Sequence, residues 1–323
     1  MKRSQELWIR LFPALRSGRL VAAVAGTLVL GVPAAFAQGT SDASTIYRLN
    51  PKSNFQRGCF APCLCPILDR AGVRGTFVLT PTGFDGLFNT YAVTDVNWIA
   101  ASRDSARRVT GSGTYKVGGE FAVQEQLVLD LRIGDDPVER FDSGLQPVGA
   151  KFPEISITIS IRGQVCFDTV FLVDASPVPR DQIHPYALSP ESTYVQGCFA
   201  PCSCPLRAPE PIRGTFALVD LGQDPLFAEF AVVNVDWLVG DPSGTPVRGP
   251  GTYRVGGEVA VRQQLSLSLR VGDGEPAHFD SGLVEGGGEF PRIDILISVN
   301  GQYCFDRVID LHALPREPPG DPF

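Results

Sequence analysis

The residues with the most chemical reach in this chain are its eight cysteines. They fall into two sets, Cys59, Cys63 and Cys65 with Cys166, and Cys198, Cys202 and Cys204 with Cys304. Four thiolates can hold a structural metal, but zinc sites favour paired Cys-x2-4-Cys knuckles. In the first set only Cys59 and Cys63 fit that spacing. An even number per set in an exported chain reads instead as disulfides. Joining Cys63 to Cys65 across one residue would strain the bridge. The other two pairings each combine a local loop with a staple to Cys166 or Cys304. In the chain-entropy model a staple closing about 100 residues is worth about 4–5 kcal/mol.

Carboxylates are the next candidates. Glu120 and Glu258, Asp142 and Asp280, Asp135 and Asp273, and Asp168 and Asp306 occupy matched places in two similar stretches of chain. A pair of carboxylates serves glycoside hydrolysis when held about 5–10 Å apart across a cleft. Each also has a structural reading. Asp142 and Ser143 precede Gly144 and suit a turn, Asp135 sits in a Gly-Asp turn, and Asp168 is expected to pair with an arginine such as Arg132. Glu120, Asp142, Glu258 and Asp280 stand as candidate ligand-binding residues. Calcium, the one cofactor considered, takes turn carboxylates and carbonyls. Asp95 and Asn97, answered by Asn234 and Asp236, are its candidate ligands. Trp98 and Trp237 are candidate stacking platforms for sugar rings, although both share strand parity with apolar neighbours, which points to core. Histidine occurs only at positions 184, 278 and 312, none matched between the stretches, so no His-dependent site belongs to a shared unit. Phosphate-cradling and nucleophile-elbow motifs are missing.

The elements that must position these residues are duplicated. Gly58-Cys-Phe-Ala-Pro-Cys-Leu-Cys-Pro66 answers Gly197-Cys-Phe-Ala-Pro-Cys-Ser-Cys-Pro205. Arg74-Gly-Thr-Phe77 answers Arg213-Gly-Thr-Phe216, Phe141-Asp-Ser-Gly-Leu145 answers Phe279-Asp-Ser-Gly-Leu283, and Cys166-Phe-Asp168 answers Cys304-Phe-Asp306. The offset is 139, falling to 138 after a one-residue deletion. The copies span 47–177 and 186–315, each long enough to bury its own core. An extension, 38–46, precedes them. Val178–Pro185 is expected to be an extended, proline-stiffened linker, and 316–323 a disordered tail.

Within each copy the signal is alternation. Val123, Leu127, Leu129, Leu131 and Ile133 share one parity, as do Val259, Val261, Leu265, Leu267, Leu269 and Val271, and as do Ile155, Ile157, Ile159 and Ile161. Period two lines one face of a strand, and Gly/Pro clusters between the runs mark turns. The expectation is an all-β fold of two tandem antiparallel β-sandwiches, or partly closed β-barrels, with about seven or eight strands per copy, each stapled by disulfides.

Residues 1–37 read as a cleaved secretory signal. Lys2, Arg3, Arg10, Arg16 and Arg19 precede the apolar run Leu20–Val32, and Ala35-Phe-Ala37 supplies the small-x-small cleavage pattern. That run is shorter than the roughly 20 residues a membrane span needs. The whole chain carries 28 basic and 35 acidic residues, and removing the signal leaves a net −11. Such a field repels nucleic acid and anionic lipid. The expectation is therefore a secreted or periplasmic, non-enzymatic binding or cell-envelope structural protein. It would meet a protein or glycan partner outside the cytoplasm, without nucleic acid or membrane insertion. A carbohydrate-binding protein using Trp98 and Trp237, and a carboxylate-dependent hydrolase, are the alternatives.

Overall fold

Side chains that alternate in the sequence alternate between core and surface. The computed structural model describes residues 44–65, 68–102, 106–205, 208–240, 243–285 and 290–316. The expected signal peptide and residues 317–323 lie outside them. No α-helix occurs among the described residues.

The first copy contains β1 (Thr45–Leu49), β2 (Asn54–Cys59), β3 (Leu68–Phe84), β4 (Phe88–Ala101) and β5 (Ala106–Gly118). β6 (Gln124–Ile133), β7 (Glu139–Asp142), β8 (Gln146–Pro147), β9 (Ile155–Ser160) and β10 (Phe167–Pro177) complete it. The second copy contains β11 (Ile183–Leu188), β12 (Thr193–Cys198), β13 (Glu210–Gln223), β14 (Phe227–Val239), β15 (Thr245–Arg248) and β16 (Gly251–Gly256). β17 (Arg262–Val271), β18 (Ala277–Asp280), β19 (Val284–Glu285), β20 (Ile293–Ser298) and β21 (Phe305–Pro315) follow. The excess over seven or eight strands comes from two-residue strands and from Gly249-Pro250. Pro250 has no N–H for the ladder and splits the counterpart of β5 into β15 and β16.

All pairings are antiparallel. In the first copy hydrogen bonds run β2-β3-β4-β5-β6-β7-β9-β10 and back to β2, with β1 bridging β3 and β10. The β7–β9 seam is one residue pair, Asp142 with Ser160, and its counterpart is Asp280 with Ser298. The sheet of each copy folds over on itself into a sandwich-like module whose ring of strands is thinnest at that seam. Each copy encloses its own core. Tyr47, Phe77, Trp98, Leu129, Phe141, Ile157 and Phe171 fill the first, and Tyr186, Phe216, Trp237, Leu267, Phe279, Ile295 and Ile309 fill the second. Truncating one such residue, Leu129→Ala for example, costs about 2–5 kcal/mol.

The repeated Arg-Gly-Thr-Phe has a steric cause. Gly75 and Gly214 sit at a bulge with φ of +140°, and an added Cβ would lie 2.2 and 2.1 Å from the facing carbonyl oxygens of Asn97 and Asp236. Only glycine fits there.

Four disulfides form, Cys59–Cys65, Cys63–Cys166, Cys198–Cys204 and Cys202–Cys304, and no described cysteine is free. Each copy joins a six-residue loop to a staple 103 or 102 residues long. Four bridges belong to an oxidising compartment.

Three local expectations are corrected. Asp168 does not pair with Arg132: its buried carboxylate accepts N–H bonds from Arg162, Gln164 and Thr169. Asp306 does the same for Val299, Asn300, Gln302 and Arg307. Positive φ at Gln164, Cys166, Gln302 and Cys304 folds this loop back, so its own donors outcompete a distant guanidinium. Val123, Val259 and Val261, assigned to inward strand faces, are exposed, because the hairpins end before β6 and β17 begin. The stretch Val178–Pro185 is structured rather than an extended spacer. Val178 is buried, Arg180–Gln182 makes one 3-10 turn, and β11 starts at Ile183. Val178 belongs to a third apolar cluster, with Ile46 and Val78 of the first copy and Ala217, Val219, Ala231 and Val233 of the second. The copies thus meet through the outward faces of their sheets.

Candidate functional site

Trp98 and Trp237 are core, not platforms. They are 1 % and 0 % exposed, wedged edge-on against Phe77 and Phe216. Neither presents a ring face to solvent, which removes the stacking geometry a sugar requires.

The calcium candidates do not converge either. Asp95 and Asn234 occupy the left-handed region, φ 51° and 53°, at the turn-out of β4 and β14, which Asp and Asn adopt more readily than other side chains. That explains why the two interchange. Buried Asn97 donates its amide to the Gly251 carbonyl across the inter-copy contact, at 2.6 Å. Its counterpart Asp236 is exposed and pairs with Arg248 at 3.4 Å. One motif thus serves as a bulge residue and a junction contact in the first copy, and as a bulge residue and a surface ion pair in the second. Among the described residues no group of three or more His, Cys, Asp or Glu side chains is placed to hold a metal.

Asp142 and Asp280 are turn residues. Asp142 accepts from Gln126 at 2.8 Å and from the Gly144 N–H at 2.7 Å, and Asp280 accepts from Gln264 and the Gly282 N–H. Burial alone would raise Asp280. Hydrogen bonds from His278, Gln264, Gly282 and Ser266 outweigh it and hold the carboxyl well below the usual range.

Ser266, His278 and Asp280 lie together but do not form a nucleophilic triad. Both the Ser266 hydroxyl, at 3.5 Å, and the Asp280 carboxylate, at 3.6 Å, face Nε2 of His278. Nδ1 instead accepts from Arg108 at 3.1 Å. A relay needs hydroxyl and carboxylate on opposite ring nitrogens.

Glu120 and Glu258 remain, and both are exposed on the hairpin ends that join β5 to β6 and β16 to β17. The loop is held against its neighbour. The Gly119 N–H donates to Leu87 O and the Gly257 N–H to Leu226 O, each at 2.9 Å. Asp85 and Asp224 each fold the neighbouring loop by accepting two backbone N–H groups, which lowers their carboxyls. Around the glutamates the ends display apolar side chains. Phe121 is 96 % exposed and Val259 98 %, joined by Leu87, Val123 and Leu145 in one copy and Leu226, Val261 and Leu283 in the other. Sequence reading singled out the glutamates but missed these neighbours. The signal was there in hindsight, because four positions outside the core stay apolar in both copies.

The junction between the copies holds a cavity of about 380 Å³. Arg74 reaches across it to Glu229 at 2.5 Å. Arg108 donates to the Ser266 hydroxyl at 3.3 Å and the Pro250 carbonyl at 3.4 Å.

No protein-family model matches this chain, no curated protein sequence matches it, and no solved structure matches its fold. Among the described residues no helix is long and apolar enough to cross a membrane.

Proposed function

We propose that this chain is an exported, non-enzymatic protein that holds a protein partner outside the cytoplasm through its two hairpin ends. The observation that carries the reading is the matched apolar display around Glu120 and Glu258. Half of the aligned positions have diverged since duplication, and an exposed Phe or Val costs solubility. Yet Leu87/Leu226, Phe121/Val259, Val123/Val261 and Leu145/Leu283 are apolar in both copies and open to solvent. An acid beside each apolar cluster suits a partner that pairs an apolar patch with a Lys or Arg. Two such ends in one chain gain avidity when both engage. Export rests on the basic, apolar and Ala-Phe-Ala layout of residues 1–37 and on the four bridges. A glycan partner loses its main support with the burial of both tryptophans, and a carboxylate-dependent hydrolase with the binding of Asp142 and Asp280 into their own turns and of Asp168 and Asp306 into their own loops.

The test is crosslinking of the oxidised native chain in extracts of its own cell envelope, beside a Phe121→Ser, Val259→Ser variant of unchanged circular dichroism. A discrete protein crosslinked to the native chain and lost from the variant is the expected result. Equal crosslinking by both, or none by either, contradicts the proposal.

A further inference from the structure

We propose that the cavity between the two copies is a binding site for a small oxyanion-bearing molecule, a carboxylate, sulfate or phosphate. Three guanidiniums line it, from Arg74 and Arg108 of the first copy and Arg254 of the second. Among the described residues only Arg74 has a carboxylate within salt-bridge distance, Glu229. Arg108 is half-buried at the junction and, among the described residues, is bonded to the Ser266 hydroxyl, the Pro250 carbonyl and Nδ1 of His278, while its buried Nε has no partner there. Arg254 spends its Nε on Gln264 and lies over the Phe227 ring. Burial holds the Arg108 guanidinium down to about 10, partly offset by Asp280, so it stays charged at neutral pH.

A half-buried cation with no carboxylate in contact is costly. It is tolerated where a ligand supplies the missing charge, and guanidinium forks match oxyanions in bidentate geometry. The surroundings agree. Volume and position at a junction between folding units are those of small-molecule sites, with apolar walls beside a few convergent donors, here Ile99 and Leu221. A patch of positive charge in a chain of strongly acidic balance is a local reversal of the field, which draws anions to it.

The site belongs to neither copy alone. Counterparts of Arg108, Ser266 and His278 are Pro246, Val128 and Arg140, so the arrangement exists once per chain. It does not depend on the hairpin ends, and its failure would leave the partner-binding reading untouched.

Calorimetric titration of the oxidised full-length mature chain with inorganic phosphate, sulfate and benzoate, at fixed ionic strength in chloride, tests the proposal. At least one should bind saturably with one site per chain. Tighter binding of benzoate than of the inorganic ions would show that the apolar wall is part of the site, and the reverse that the charge alone is read. Arg108→Met should weaken binding at least tenfold while leaving the unliganded melting midpoint equal or higher, because it removes a half-buried charge that no carboxylate contacts. Arg254→Gln, at the cavity's wall, should weaken binding without altering the fold. No saturable binding by the native chain, two sites per chain, or undiminished binding by both variants would overturn the proposal.

Discussion

The same sheet face has opposite fates in the two copies. In the second, Val219, Ala231 and Val233 are 0–2 % exposed beneath the first copy. Their counterparts in the first are Thr80, Ala92 and Thr94, of which Thr94 is exposed and the others half-covered. Valine and threonine have nearly one shape, so the fold accepts either. What differs is the cost of burying a hydroxyl without a partner. The comparison teaches that the copies are joined largely heterologously: apart from the matched Val78 and Ala217, each uses a different part of one ancestral face. Arg74, Asn97 and Arg108 of the first meet Glu229, Gly251 and Ser266 of the second. Head-to-tail contacts of this kind can propagate between molecules. Here the free faces lack the matching groups, since Asn97 is replaced by Asp236, Arg108 by Pro246 and Glu229 by Thr90.

The strongest way to break this comparison is to charge the covered face. Val233→Asp should destabilise the chain by about 3 kcal/mol or more, because the carboxylate would lie unpaired at the junction. Thr94→Asp, at the matched position, should stay within about 0.5 kcal/mol. Guanidinium unfolding of the two variants reads the difference, and equal losses would mean the faces are equivalent.

Inside the copies a second contrast is open to exchange. Buried Glu125 accepts from the Tyr115 hydroxyl and the Gly149 N–H, both at 2.8 Å. Its counterpart Gln263 accepts from the Tyr253 hydroxyl at 3.0 Å and donates to the Asp294 carbonyl at 3.2 Å. Glu125→Gln should cost about 1 kcal/mol, since one N–H loses its charged acceptor. Gln263→Glu should cost about 3 kcal/mol, because a buried carboxylate would face a carbonyl oxygen. Urea midpoints rank the pair, and a smaller loss for Gln263→Glu would refute the polarity assigned to these networks.

The smallest effect distinguishes the outer edges. His312 replaces Asp174 of the first copy and stands between Asp294, 2.9 Å from Nδ1, and Asp310, 3.3 Å from Nε2, with Arg292 on the far oxygen of Asp294. Burial would lower His312, but hydrogen bonds and charge from the two carboxylates outweigh it and raise its pKa. A raised folded-state pKa favours the protonated form. The stabilisation is therefore complete below the unfolded value near about 6.5 and is lost as pH rises through the higher folded value. His312→Ala should lower the melting midpoint at pH 5.5 and leave it unchanged at pH 9. Equal loss at both would show that His312 acts by packing alone.

Sequence reading reached furthest where one strand decides its own fate. The alternation of Leu127, Leu129 and Leu131 and of Ile155, Ile157 and Ile159 is the core itself, and the parity of Trp98 and Trp237 told their burial. It overran at Val123, Val259 and Val261, because period two carries no mark of where a hairpin ends. Asp168 was misassigned because the donors that hold it come from a loop whose positive φ values leave no pattern of spacing. The junction was illegible for a deeper reason. A search for residues matched between copies discards Arg108, Ser266 and His278, and these meet only through the relative placement of two folding units.

Differential scanning calorimetry of the oxidised mature chain tests the joined-copy account most directly. A sealed junction predicts one transition whose calorimetric and van't Hoff enthalpies agree, split into two by Val233→Asp. Two independent transitions in the native chain, unchanged by Val233→Asp, would contradict it.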